Sequence, residues 1–328
     1  MVRDQHHHSS HAAHQEPLFL ACPTASGKSE VALLLAEKLG GEIITVDSMQ
    51  VYRGLDIGTA KPNASERARV PHHLLDVVGL REPFDAAKFV VFARLAASHI
   101  QARGRVPIFC GGTGLYFKGF LDGLGEAPPS NPVLRAELEA TAIDLLLREL
   151  AERDPETFER IDRQNPRRII RALEVIRLTG KPFSTQRADW RAEKSSPIAT
   201  PALRVITLSR SSADLRARID ARVDQMFAHG LVAETKMLLE HGLAENPTAM
   251  QAIGYRQVVE HLRGGRSLAE TVALVKIRTR QFAKRQMTWF RRQLPVAWLE
   301  VQAGGQASEI AARVETLHAA SATLISHQ

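Results

Sequence analysis

Leu18-Phe-Leu-Ala-Cys-Pro-Thr-Ala-Ser-Gly-Lys-Ser29 begins with apolar residues and closes on Gly-Lys-Ser, the ending of a phosphate-binding loop of the form G-x-x-x-x-G-K-[ST]. One position departs from it: Cys22 stands where the pattern begins with glycine. The apolar run 18–22 reads as a strand, and Val31, Leu34, Leu35 and Leu39 recur at helical spacing until Gly40-Gly41 stops them. A loop between strand and helix can offer backbone N–H groups and a helix N-terminus to phosphate oxygens. Cys22, Pro23, Thr24, Ala25, Ser26, Gly27, Lys28 and Ser29 are therefore the candidate phosphate site, with Lys28 neutralising charge and the Ser29 hydroxyl available to Mg²⁺. Cys22 is tolerable if the loop's entry needs no positive φ, because glycine's special freedom is steric. The plain alternative is a Gly/Ser turn with an incidental lysine. The loop alone does not separate a nucleoside triphosphate from an isoprenoid diphosphate.

Further apolar runs at 43–46, 106–110 and 203–208 alternate with helical patterns such as 84–103. That alternation predicts an α/β fold with a parallel sheet, whose carboxyl edge gathers the loops beginning at Cys22, Asp47 and Cys110. Between Pro128-Pro129 and Pro201 the strand signals vanish, while 134–153, 155–163 and 167–178 read as helices. The expected organisation is a histidine-rich tail at 1–16, a core in two parts at 17–127 and 201–302, a helical insertion at 128–200 and a weakly patterned tail at 303–328. Residues 191–200, polar and carrying Pro197, read as a linker. Helices are also expected at 214–229, 232–240 and 268–294.

Lysine and arginine number 43 against 36 acidic residues, a net charge of +7. The excess is uneven: residues 276–292 hold seven basic side chains and no acidic one, which suits an anionic macromolecule. The two cysteines, Cys22 and Cys110, follow apolar runs and suit buried thiols of a cytoplasmic protein better than a disulfide framework. No apolar stretch is long enough for a membrane span. His6, His7, His8, His11 and His14 read as a tag-like tail.

Asp47 ends the second strand and opens a polar, glycine-punctuated segment, so it reads either as a helix cap or outer Mg²⁺ ligand, or as a general base facing the phosphate loop. In Cys110-Gly-Gly-Thr-Gly-Leu-Tyr116, glycines around Thr113 suggest close approach of backbone to a ligand and make Thr113 a candidate contact. This exit lacks the terminal carboxylate of an ATP-hydrolysing motor. Arg218 and Arg222 share one helical face and could stabilise a departing diphosphate, although most such pairs are solvated charge. Phe282, Trp289 and Phe290 interleave with the basic run, and such aromatics are more often core than base-stacking platforms.

The segment 47–62, with Asp47-Ser48, Tyr52-Arg-Gly54 and Asp56-Ile-Gly-Thr-Ala-Lys-Pro62, is the most specific signature in the chain. Beside it stand Pro71-His-His-Leu-Leu-Asp76, Gly111-Gly-Thr-Gly-Leu-Tyr116, Asn165-Pro-Arg-Arg-Ile-Ile-Arg-Ala-Leu-Glu174, Met250-Gln-Ala-Ile-Gly-Tyr-Arg256 and Thr279-Arg-Gln-Phe-Ala-Lys-Arg-Gln-Met-Thr-Trp289. Together these resemble the tRNA dimethylallyltransferase family, also called tRNA isopentenyltransferases, over about residues 18–298. The resemblance implies a P-loop NTPase, kinase-like core with a helical insertion that grips the anticodon stem-loop of tRNA. It implies transfer of a dimethylallyl group from dimethylallyl diphosphate to N6 of adenosine 37, with Mg²⁺ as cofactor, by a cytoplasmic monomer without membrane attachment. Residues 24–29 would hold the diphosphate with Arg218 and Arg222, Asp47 would act as base, and Thr113 would stabilise the reacting centre. Contacts to tRNA would come from Asp47, Ser48, Met49, Gln50, Thr113, Arg135, Arg167, Arg168, Ile169, Ile170, Arg171, Gln251, Ala252, Ile253, Gly254, Tyr255 and Arg256. The chain lacks the cysteines of the eukaryotic members' zinc finger, so a compact bacterial form is implied. Alternatives are a transferase acting on free adenine nucleotides, a metabolite kinase using ATP in the loop, and a non-catalytic RNA-binding protein.

Overall fold

In the computed structural model, which describes residues 16–186, 188 and 205–325, the chain divides into two compact units. One comprises Met1–Lys118 with Thr200–Gln328, the other Gly119–Ala199. The histidine-rich start at 1–15, the linker at 191–200 and the first residues of the 203–208 run lie outside the described residues.

The first unit begins with strand β1 (Leu18–Ala21) and helix α1 (Lys28–Leu39), which Gly40 ends in the left-handed region at φ 61°. Strand β2 (Glu42–Val46), helix α2 (Ala64–Arg69), strand β3 (His72–His73), helix α3 (Ala86–Ala102), strand β4 (Pro107–Gly111) and helix α4 (Gly114–Asp122) follow. The second unit contributes α5 (Pro132–Ala140), α6 (Ile143–Arg153), α7 (Pro155–Arg160) and α8 (Pro166–Thr179). The chain then forms β5 (Val205–Ser209), α9 (Ser212–Ala228), α10 (Leu231–Glu240), α11 (Tyr255–Leu262), α12 (Leu268–Gln293), β6 (Val296–Glu300) and α13 (Ala307–Ile325). The strands make one parallel sheet in the order β3-β2-β4-β1-β5-β6.

Both faces of the central strands are covered, which is why they read as continuous apolar runs rather than alternating ones. Leu18, Leu20, Ile108 and Cys110 join Val31 and Leu35 of α1 and Ile310 and Val314 of α13 in one core. On the opposite face Phe19 and Phe109 stack with centroids 4.7 Å apart, and α3 packs over β2 and β4.

Several features differ from the sequence reading. The region from 303 on is no weakly patterned tail: α13 packs on α1, buries Ile310, Ala311 and Val314, and places Glu315 2.5 Å from Lys38. Its inward residues Ile310, Ala311 and Val314, with Ala307 and Leu317 packed beside them, mix alanine with larger side chains, so its apolar stripe is faint in sequence. Strand β6 is an edge strand with mixed exposure, which likewise blurs its pattern. The expected helix over 134–153 breaks at Thr141 and Ala142, whose ψ angles of 139° and 136° are extended.

The second unit has its own core of Leu138, Leu146, Leu150, Ile169, Ile170, Leu173 and Ile176. It begins at Gly119 rather than at residue 128. Residues just before and after the paired prolines belong to it physically. Glu126 N–H donates to the Gln186 carbonyl (2.9 Å), and Arg171 donates to the Pro128 carbonyl (2.5 Å). Fully buried Glu174 accepts from the Ser130 hydroxyl, the Asn131 N–H and Arg171 at 2.5–2.8 Å. A buried carboxylate with that many donors is satisfied rather than stranded.

Candidate active site

Register brings the candidate loops together. Ala21 of β1 and Val46 of β2 both pair with Gly111 of β4, so Cys22, Asp47 and Gly112 leave the sheet at one level of its carboxyl edge. The Val46 carbonyl accepts from both Gly112 and Thr113 N–H (3.1 and 3.2 Å), and a Cβ on Gly111 would collide with that same carbonyl.

The phosphate loop is held from outside by its carbonyls. Arg218 Nε donates to the Ala25 carbonyl (2.9 Å), and Arg210 Nε to that of Ser26 (2.7 Å). Within a trans peptide C=O and N–H point in opposite directions, so these arginines aim the Ser26 and Gly27 N–H groups away from themselves. Those N–H groups have no protein acceptor among the described residues. Gly27 caps α1 at φ 94°, and Ala25 also occupies the left-handed region at φ 61°, a conformation that disfavours a side chain. Arg210 is paired with Asp214 (2.8 Å), so its charge is already matched, whereas Arg218 is exposed beyond its bond to the loop.

Lys28 Nζ donates to the Pro23 carbonyl at 3.3 Å. Burial, then the neighbouring Arg222 charge, push the Lys28 ammonium below its ordinary value, and the Asp47 charge opposes them. Arg222 is likewise lowered by burial, raised by Asp47 and lowered by Arg218. Lys28, Arg222 and Asp47 thus feel one another across the carboxyl edge, and Arg218 acts on Arg222. The Asp47 Oδ1 caps the following turn, accepting from Met49 N–H (2.8 Å) and Gln50 N–H (3.3 Å). Its other oxygen has no protein donor among the described residues. Thr113 Oγ1 accepts from the Ser48 N–H (3.1 Å), which leaves its hydroxyl proton free to donate.

The glycines around Thr113 also have a packing role. A Cβ on Gly112 would meet Gln286 Nε2, and one on Gly114 would meet the Trp289 ring. They seat α12 on the strand exit. Gln286 was not anticipated, although its signal was present: a polar residue in the buried phase of α12, with Ala283 and Phe290. Arg210 had no comparable sequence signal.

The segment 50–62 is anchored by groups expected to contact RNA or left unassigned. Gln50 donates to the Thr59 carbonyl (2.9 Å), and Met49 and Ser48 are half-buried beside it. Glu234 accepts from Ile57 N–H, and the Tyr255 hydroxyl both accepts from Gly58 N–H (3.0 Å) and donates to Glu234 (2.5 Å). Tyr255, Ala252 and Gly254 are therefore buried, while Gln251 and Arg256 are exposed and Ile253 is half-exposed. In the second unit Arg167 and Arg168 are exposed at the start of α8, and Arg135 and Arg171 lie beside Glu174. Ile169 and Ile170 point into that unit's core, so their side chains are not offered to a partner.

Lys61, with its side chain 1% exposed, donates to the Tyr52 carbonyl (2.6 Å), Asp56 (2.8 Å) and Asp76 (2.5 Å). Burial alone would raise the Asp76 carboxyl, but hydrogen bonds from Lys61 and Arg67 outweigh it and hold it below the ordinary value. With the folded value the lower, this stabilisation is complete above the unfolded value near ~3.9 and is lost as pH falls through the folded one. Acid unfolding of the wild type and of Asp76→Asn should differ above about pH 4 and converge below it. A constant offset throughout the acid range would rule out this linkage.

Cys22 is fully buried, its φ is not positive, and its Sγ accepts from the Leu208 N–H (3.2 Å) within the core. Burial pushes this thiol up to about 12 and Cys110 to about 11, so both are protonated and unreactive. The side chain is seated in the core beneath the loop, with Ser26 and Lys28 near it. Cys22→Gly should therefore cost about 2–3 kcal/mol of stability, from the cavity and the added backbone freedom, with diphosphate affinity unchanged. Denaturant melts and a diphosphate titration check it, and a tighter titration without lost stability would contradict it.

A loop of this kind on the carboxyl edge of a parallel sheet, with arginines behind it and a carboxylate beside it, defines an α/β protein of P-loop-like fold. Residues 50–293 match the model of the IPP transferase family. A tRNA dimethylallyltransferase 1 of Trichlorobacter lovleyi is 47% identical over 286 residues, covering 86% of this chain and 92% of the relative. A tRNA dimethylallyltransferase of Geobacillus kaustophilus is 43% identical, covering 90% and 92%. Among solved structures, a tRNA isopentenylpyrophosphate transferase of Bacillus halodurans superposes with TM-score 0.67 at 35% identity, covering 96% of this chain and all of its own. A eukaryotic dimethylallyltransferase acting on tRNA gives TM-score 0.74 at 28% identity, covering 91% and 77%. The chain belongs to the IPP transferase family.

Proposed function

We propose that this protein transfers the dimethylallyl group of dimethylallyl diphosphate to N6 of adenosine 37 in the anticodon loop of tRNA, releasing diphosphate. The observation that carries this reading is the convergence of Lys28, Arg218, Arg222 and Asp47 on one sheet edge, around loop N–H groups free to donate. As the allylic C–O bond breaks, negative charge builds on the diphosphate and positive charge spreads over the allyl group. The loop N–H groups, Lys28 and the two arginines stabilise the former. The N6 lone pair of adenine is delocalised and attacks poorly, so a carboxylate that takes its proton as the N–C bond forms makes the attack productive. Asp47 is that base, and the Thr113 hydroxyl donates at the reacting centre. An adenosine in a loop leaves its stack at lower cost than a paired one.

Among the described residues no three or more His, Cys, Asp or Glu side chains converge as a metal cage. The exposed Ser29 hydroxyl fits a Mg²⁺ held chiefly by diphosphate oxygens and water, which is how Mg²⁺ commonly binds. Bound there, the ion would neutralise leaving-group charge. Exposed Arg167, Arg168, Gln251 and Arg256, with the basic face of α12, supply RNA contacts. No described helix is long and apolar enough to cross a membrane.

The test is incubation with labelled dimethylallyl diphosphate, Mg²⁺ and unmodified tRNA bearing adenosine at position 37. Label should enter the tRNA and should not when that base is replaced. Absence of label while tRNA binds would overturn the proposal.

A further inference from the structure

Helix α12 has two faces with different duties. Outward it carries Lys284, Arg285, Arg291 and Arg292, all exposed. Inward it presents Gln286, only 7% exposed, and Trp289. The Gln286 amide is bonded on both sides: Oε1 accepts from the Thr24 N–H (2.9 Å) and Nε2 donates to the Gly112 carbonyl (2.8 Å). Thr24 belongs to the phosphate loop, and Gly112 immediately precedes Thr113, which in turn receives the Ser48 N–H next to Asp47. One side chain therefore spans the donor loop and the acceptor-side strand exit, from a helix whose next residue outward is a cation.

Few side chains can do this. Bridging a backbone N–H and a backbone C=O requires an acceptor and a donor on one short planar group, which the amides of Asn and Gln provide without a ring's bulk, and Asn is a methylene shorter. Glutamate would face the Gly112 carbonyl with a second acceptor. The site is also shaped for the amide, since a Cβ on Gly112 would occupy the place of Nε2 and the bare Gly114 admits Trp289 one turn along.

We propose that Gln286 is a positioning residue that couples RNA binding on α12 to the organisation of the diphosphate loop. The inference rests on the transferase reading for the identity of the two ligands. RNA drawn onto the basic face fixes α12, and the amide transmits that order to Thr24 and Gly112 together. Binding of an anticodon stem-loop and of diphosphate should then be mutually favourable, because each orders the element the other uses.

The experiment measures inorganic diphosphate affinity, with Mg²⁺, in the absence and presence of an unmodified anticodon stem-loop, for the wild type, Gln286→Met, Gln286→Asn and Gly112→Ala. In the wild type, RNA should tighten diphosphate binding by about fivefold or more, the lower range of measured couplings. All three variants should lose that coupling and bind diphosphate about tenfold more weakly, while stem-loop affinity alone stays within about twofold. A merely structural role would lower the melting temperature and leave the coupling intact. If Gln286→Met does not fold, Gln286→Asn and Gly112→Ala decide. Coupling retained in the folded variants, or absent from the wild type, overturns the proposal. Labelled transfer in the wild type is scored separately: a wild type that couples the two ligands without transferring label refutes the reaction and leaves the clamp standing.

Discussion

Asp47→Asn is expected to lower turnover by about two to four orders of magnitude while tRNA affinity stays within about twofold. Two separable duties of the carboxylate lead to this expectation. One is structural: Oδ1 accepts the Met49 and Gln50 N–H groups, and the asparagine oxygen can accept both equally well. The other is chemical: the second oxygen has no protein donor among the described residues and lies within electrostatic reach of Lys28 and Arg222. An amide in its place cannot take a proton from N6. Single-turnover rates with saturating tRNA, beside a binding isotherm, separate the two duties. Full turnover in the variant would remove Asp47 from the base role, and a parallel loss of tRNA binding would make it a scaffold.

Lys28→Ala should weaken binding of the donor diphosphate by about 30- to 150-fold, the equivalent of a charge-assisted hydrogen bond of about 2–3 kcal/mol. The same change should leave the melting temperature of the unliganded protein unchanged or higher. Burial pushes the Lys28 ammonium below its ordinary value, and among the described residues its one hydrogen bond is the 3.3 Å contact with the Pro23 carbonyl. The folded chain therefore carries a partly desolvated cation that a diphosphate would compensate. Arginine at this position should not restore affinity, because a planar fork does not replace a compact ammonium in a loop of this size. Calorimetric titration with diphosphate and a thermal melt of the same samples test both halves. Unchanged diphosphate affinity would take the loop out of the donor site, and a large fall in melting temperature would mean that Lys28 serves the fold instead.

Much of this was legible in the chain. Central strands buried on both faces are continuous apolar runs, and their exits carry the unusual residues, so the sheet and three of its edge loops could be read from 18–29, 43–47 and 106–116. Less visible were the parts whose pattern is weak for a physical reason. Strand β6 is half-exposed, and α13 scatters alanine among its few larger apolar residues. The motif residues expected at an RNA surface divide along lines no motif can show: Arg167 and Arg168 are exposed, whereas Ile169, Ile170 and Tyr255 are buried.

The sequence by itself determined the family, because the loop at 22–29 and the signature at 47–62 are local patterns carried by neighbouring residues. Only the tertiary structure decided who supports that loop. Arg210 and Arg218 reach the loop from 184 and 193 residues away, and Gln286 reaches Thr24 across 262. Tertiary structure also decided what Cys22 means. Its side chain packs in the core beneath the loop, since at a strand end the direction of Cβ is set by the pleat and not by the motif.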